Sequence, residues 1–190
     1  MKRLLILILL SVLSACIVID TSFTGLNSGY KKLNQYQKSK IKFVNEEGKL
    51  STTAVSDTIY AITSEHITAI IENEKTDVIV YLWSPNCSSS FCYPIDHVQK
   101  YCTDRNQKLV VVMEYYDFEL MNFQTIQNLD YPLFSINTEH YKTDFCNKYT
   151  KRFFIDLIND DKVEDEELYN RYFLFKNGKY AGSSANLITN

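Results

Sequence analysis

The chain is 190 residues long, 45% hydrophobic and 23% charged, with a formal net charge of −3. That length suits one domain with a sizeable core, and the mildly acidic balance lacks the basic footprint of a nucleic-acid binder. Tyrosine is abundant, at 14 residues, which argues against a disordered chain.

The first residues read as a targeting segment. Lys2 and Arg3 form a positive n-region, and Leu4 to Val12 form an apolar stretch too short to span a bilayer comfortably. Leu13-Ser14-Ala15-Cys16 is similar to the bacterial lipobox, whose cysteine becomes the acylated first residue of the mature protein. An ordinary secretory signal cleaved nearby is the alternative. The lipobox likeness implies a signal peptide over residues 1–15 and a lipid anchor on Cys16. Several acyl chains at ~0.8 kcal/mol per buried CH₂ hold a protein stably at a membrane. The soluble part would then lie in the bacterial cell envelope, periplasmic or associated with the outer membrane. Ile17 follows the cysteine, and by resemblance to Gram-negative lipoproteins the absence of Asp there does not favour inner-membrane retention. Residues 16–39, rich in Ser, Asn, Gly and Lys, read as a tether. Residues 40–190 remain as the domain.

Within that domain, Ile41 and Phe43 alternate with Lys40 and Lys42, and Asn45-Glu46-Glu47-Gly48 is a turn signal. A hairpin is predicted over Lys40 to Val55. Ser64 is placed to cap a short helix with Ile67, Ile70 and Ile71 on one face. Val78 to Leu82 are consecutively apolar or aromatic, as in a strand buried on both faces. It stops at Ser84-Pro85-Asn86, a turn signal, and Cys87 and a serine triplet follow. Ile95, Val98 and Cys102 then recur at helical spacing.

Leu109 to Met113 read as a second buried strand, and Asp117 as the cap of a helix carrying Phe118, Met121 and Leu129. Tyr131 to Ile136 form another strand. Thr138 is placed to cap a helix with Tyr141, Phe145, Tyr149 and Phe153 on one side. Asn159 to Glu167 make an acidic, solvated loop, and Asn177-Gly178 is the strongest hairpin signal in the chain. Strands alternating with helices define an α/β fold whose sheet is covered on both faces.

A cysteine between a strand end and a helix start has chemical consequences. Backbone N–H groups at a helix N-terminus favour negative charge, so Cys87 there would ionise more readily to its nucleophilic thiolate. Tyr81-Leu82-Trp83-x-x-x-Cys87 resembles the strand end and first active-site cysteine of the thioredoxin-like superfamily. Pro94 lies close to where that family's active-site helix carries a proline, and Tyr172 to Lys179 is similar to its closing β-hairpin. The resemblance covers roughly Ser64 to Gly182. It implies a thioredoxin-like α/β fold, a central mixed sheet with helices on both faces. The early hairpin and the helix–strand pair between Asp117 and Ile136 resemble additions in the TlpA/ResA-type envelope thiol–disulfide oxidoreductases. By that resemblance Cys87 is the nucleophile, with Trp83, Pro85, Asn86 and Ser90 beside it. The partners would be protein thiols or disulfides in the envelope, with no dissociable cofactor.

The sequence departs from the family at three places. Ser90 stands where the second cysteine of C-x-x-C belongs, and the next cysteine is Cys92. Five residues of regular helix turn a side chain by about 500°, roughly 140° off the starting face. A Cys87–Cys92 bond in an unbroken helix would therefore be strained. It becomes feasible if the helix starts near Tyr93, with Pro94 in its first turn and the serines in a loop. The family's cis-proline position aligns with Tyr169 or Asn170. Tyr81 replaces a buried acid; Glu114 at the next strand end could supply one, but reads better as a solvated or capped strand-end residue.

Cys102 and Cys146 are either two separate buried thiols or a structural bridge closing a loop of 43 residues. The chain-entropy model allows such a bridge ~4 kcal/mol at most. Other chemistries fit less well. Copper binding would need His140 with the cysteines, at loose spacing, so no metal is expected. Ser88-Ser89-Ser90 lack the glycine-flanked elbow of a hydrolase nucleophile, and a peroxiredoxin would need more than Ser84-x-x-Cys87. The competing class is a thioredoxin-like binding or structural lipoprotein whose cysteines only cross-link the fold.

Overall fold

The computed structural model describes residues 25–44, 57–119, 129–159 and 164–187. They form an α/β fold around a seven-stranded mixed sheet. The strands are β1 (Ile41–Phe43), β2 (Ile59–Ile62), β3 (Val78–Trp83), β4 (Lys108–Met113), β5 (Leu133–Ile136), β6 (Tyr172–Lys176) and β7 (Lys179–Ser184). The helices are α1 (Gln35–Ser39), α2 (Ser64–Asn73), α3 (Ile95–Asp104) and α4 (Cys146–Ile158). Across the sheet the order is β1-β2-β5-β4-β3-β6-β7. The first five of these are parallel, and β6 runs antiparallel to both β3 and β7.

Strand periodicity divides the core in two. Val78, Val80 and Leu82 of β3, with Val110 and Val112 of β4, face one cluster against α2 and α4. Ile79 and Tyr81, with Leu109, Val111 and Met113, face the other against Ile95, Val98 and Cys102 of α3. Both faces of β3 and β4 are thus buried, so these strands read as unbroken apolar runs. On the first face, Phe154 of α4 stacks on Phe173 of β6 with ring centroids 3.8 Å apart.

Several expectations need correction. Ile41–Phe43 is a strand, but it pairs in parallel with Ile59–Ile62. The rest of the expected hairpin lies outside the described residues. Most of the helix expected after Asp117 also lies outside them, while Phe118 and Leu129 join the second core cluster. The helix expected from Thr138 starts at Cys146. Asn137 instead folds the chain into a turn by accepting hydrogen bonds from the Glu139 and His140 N–H groups. The cap of α2 is Thr63, one residue before Ser64; its N–H donates to His66 Nδ1, which satisfies a free donor at the helix start. The closing hairpin forms as read, with Asn177 and Gly178 both at positive φ, as a type I′ turn requires.

Residues 25–33, expected as part of the tether over residues 16–39, pack onto the domain instead, and residues 16–24 lie outside the described residues. Ser28 is buried, its N–H donates to the Asp144 carbonyl, and its carbonyl accepts from Tyr116 N–H at 2.7 Å. Tyr30 and Leu33 pack against the second core cluster, and Asn34 and Gln37 form a reciprocal capping box at the start of α1. Polar composition misled here because the segment is held by backbone bonds rather than by an apolar stripe. Gly29 lets it pass: its φ is +78°, and a Cβ at this position would lie 2.6 Å from the Tyr116 carbonyl oxygen. Gly29→Ala is expected to destabilise the fold by about 1–3 kcal/mol, from steric conflict and left-handed strain. Equal denaturation midpoints for the variant and the parent would contradict that packing.

Candidate functional site

The site lies where β3 ends. Ser84-Pro85-Asn86-Cys87 closes as a turn with Cys87 N–H on the Ser84 carbonyl. Ser89-Ser90-Phe91-Cys92 closes as a second turn with Cys92 N–H on the Ser89 carbonyl at 3.0 Å. Each cysteine therefore occupies the last position of its own turn. Helix α3 does not start until Ile95, with Pro94 as its N-cap in extended conformation. Without a continuous helix between them, the cysteines approach to a Cα–Cα distance of 5.9 Å and form the Cys87–Cys92 disulfide. This is the loop arrangement that the spacing made feasible. One expectation is corrected: Cys87 does not sit at a helix N-terminus, because α3 starts eight residues beyond it.

Three tyrosine hydroxyls hold this loop from below. Tyr81, fully buried in β3, donates to the Tyr93 carbonyl at 2.8 Å. Tyr172, its neighbour across the β3–β6 pair, donates to the Phe91 carbonyl at 3.1 Å. Their rings stack with centroids 4.7 Å apart. Tyr115, just past β4, accepts the Asn86 N–H at 3.1 Å. Burial raises the pKa of Tyr81 far above that of a free phenol, and the adjacent Tyr172 adds to the shift. Both rings thus remain neutral hydrogen-bond donors.

Beside them a charged cluster joins three chain segments. Arg171 Nη1 lies 2.9 Å from Glu114 Oε2 and also reaches Ser84 Oγ, and Ser84 donates to Glu114. Leu82 N–H bonds the Arg171 carbonyl at 2.8 Å. Glu114 is therefore an ion-paired strand-end carboxylate.

Both disulfide cysteines are half-buried and open onto a cleft of about 240 Å³. Trp83, Pro85, Tyr93, Pro94 and Asp96 line it. Tyr93 also stacks on His97. Of the sequence-predicted neighbours, Trp83 and Pro85 border the cleft, Asn86 belongs to the first turn, and Ser90 sits exposed in the second. Asn170 is directed elsewhere: its amide donates to Ser183 Oγ at 2.8 Å, tying it to β7.

Cys102 and Cys146 form no bridge. They belong to the separate clusters on opposite faces of the sheet, so the sheet stands between them. Burial raises both thiol pKa values to about 12, which keeps them protonated and unreactive. His140 lies in the turn before α4, edge-on to Tyr141 at 4.8 Å. Among the described residues no group of three or more His, Cys, Asp or Glu side chains is arranged to hold a metal ion, and no helix is long and apolar enough to cross a membrane. Cys16 lies outside the described residues.

Sequence reading missed the anchoring role of Tyr81, Tyr115 and Tyr172, and the Arg171–Glu114 pair. The available signal was positional: polar-tipped aromatics at or beside strand ends, next to the cysteine turn. No protein family, curated protein or solved structure matches this chain.

The loop anchors lead to a direct expectation. Tyr172→Phe leaves the Phe91 carbonyl without its protein donor and should cost about 0.5–1.5 kcal/mol of stability. Amide exchange at Cys92 should accelerate as the second turn loosens. Unchanged exchange there in the variant would show that the hydroxyl does not hold the loop.

Proposed function

We propose that this chain is a lipid-anchored, thioredoxin-like thiol–disulfide oxidoreductase of the bacterial cell envelope, acting on protein disulfides or dithiols. The observation that carries this reading is the half-exposed Cys87–Cys92 disulfide in a strand-to-helix connection, opening onto a cleft. Thiol–disulfide exchange needs accessible sulfurs and a second thiol close enough to release the mixed disulfide. Both conditions are met by this pair. The alternation of β3, α3 and β4 and the closing β6–β7 hairpin support the thioredoxin-like assignment. The lipobox likeness at Cys16 supports the anchor.

In the reducing direction, the Cys87 thiolate attacks one sulfur of a partner disulfide and displaces the other as a thiolate. The Cys92 thiolate then attacks Cys87 in the mixed disulfide. The bond to the partner breaks, the second partner thiolate leaves, and the Cys87–Cys92 bond re-forms. Two electrons pass from the cysteine pair to the partner, and the reverse sequence oxidises a partner dithiol. Trp83, Tyr93 and the two prolines place apolar surface beside the reacting sulfurs. Buried Cys102 and Cys146 stay outside the exchange.

Cys87→Ser is expected to abolish reduction of a protein disulfide such as that of insulin. Cys92→Ser should accumulate a mixed disulfide on Cys87, visible by mass. Full activity in Cys87→Ser would remove this mechanism and leave a folded module whose disulfide serves only as a cross-link.

A further inference from the structure

Gly25 and the start of the disulfide loop meet the same side chain, Tyr115. Gly25 lies against the ring of Tyr115, where a Cβ would meet the ring at 3.3 Å. The hydroxyl of the same tyrosine holds Asn86. Two large apolar side chains form an exposed corner here: Leu26 at 57% and Phe145 at 47%. Their backbones are joined, since Asn27 bridges Phe145 and Cys146 N–H donates to the Leu26 carbonyl at 3.1 Å. Lysines lie near them along the chain. Residues 25–33 and 142–149 carry Lys31, Lys32, Lys142 and Lys148 with Asp144, and Asp117 and Glu119 follow Tyr115 and Tyr116. Lys148 lies over the Phe145 ring at 5.1 Å, and Lys31 lies 3.5 Å from Asp144.

Only eight residues separate Cys16 from Gly25. Fully extended, nine Cα–Cα steps span about 30 Å at 3.3–3.6 Å each. An anchor on Cys16 therefore keeps this corner within about one bilayer thickness of the membrane surface. Exposed apolar side chains with lysines beside them suit an interface with anionic headgroups, where rings and aliphatic chains enter the boundary and ammonium groups meet phosphate.

We infer that the Leu26–Phe145 corner rests on the surface of an anionic bilayer, which presents the disulfide loop beside the membrane. This inference rests on the lipid anchor proposed for Cys16, and its occupant is the lipid surface.

Trp83 is the only tryptophan in the chain, so a Trp83→Phe background lets a new tryptophan report its own surroundings. Phe145→Trp, or Leu26→Trp should the first variant fold poorly, places the reporter in the corner. Lys176→Trp places it at the opposite end of the sheet, beside the β6–β7 turn. The full acylated chain is reconstituted in phosphatidylethanolamine–phosphatidylglycerol vesicles containing brominated acyl chains. The corner reporter should be quenched and blue-shifted while the Lys176→Trp reporter is not. Lys31→Glu with Lys148→Glu should abolish the difference.

Equal quenching at the two positions in an acylated chain would overturn the surface and leave the anchor standing. A purified chain whose intact mass carries no acyl group on Cys16 would overturn the anchor and this surface together. Neither result bears on disulfide exchange, which the cysteine variants test separately.

Discussion

The site depends on a polar constraint placed inside an apolar sheet. Tyr81 is wholly buried on β3, and its stacked partner Tyr172 on β6 is nearly so. Their hydroxyls would be costly to bury without partners. Both reach the carbonyls of Tyr93 and Phe91, beyond the end of β3. Satisfying these donors pins the segment between Cys87 and Pro94 as a loop. A helix continuing back through Ser88 would need those carbonyls for its own bonds and would turn the two sulfurs to different faces. The same hydrogen bonds that relieve the buried phenols thus let Cys87 and Cys92 meet.

A second polar cluster ties this loop to the strands beneath it. Arg171 and Glu114 are mostly buried and joined through Ser84, the first residue after β3. An isolated charge here would carry a desolvation penalty, whereas the pair shares hydrogen bonds with Ser84 and with the Leu82 carbonyl. The segment leaving β3 is therefore held at Ser84 by this cluster and at Asn86 by Tyr115. The residues between the sulfurs, Ser88 to Phe91, remain exposed to solvent. Cys102 and Cys146 show the opposite environment: sealed in apolar clusters, they contribute packing and no chemistry.

Much of the fold was legible from period and punctuation. Val78–Leu82 and Leu109–Met113 read as strands because both their faces are buried. Asn177-Gly178 marked its turn because few other residue pairs accept two consecutive positive φ angles. The failures occurred where long-range hydrogen bonds outweigh local pattern. Residues 25–39 look like a linker, yet Ser28 and Gly29 thread against Tyr116 and Asp144. The start of α4 was displaced to Cys146 because Asn137 captures the preceding turn. At the site, the cysteine spacing and Pro94 together suggested a loop. What forms that loop could not be read locally, since Tyr81 and Tyr172 lie 91 residues apart in the chain. Cys102 and Cys146 could not be assigned to opposite faces before the order of the strands was known.

The proposed chemistry requires the Cys87–Cys92 bond to be a working redox pair. The direct test is to equilibrate the full chain across a series of glutathione buffers and read the oxidised fraction by alkylation and mass. A half-exposed exchange disulfide should titrate between about −270 and −120 mV, the range of known dithiol oxidoreductases. A pair that stays fully oxidised at potentials below about −300 mV would behave as a structural cross-link and contradict the account.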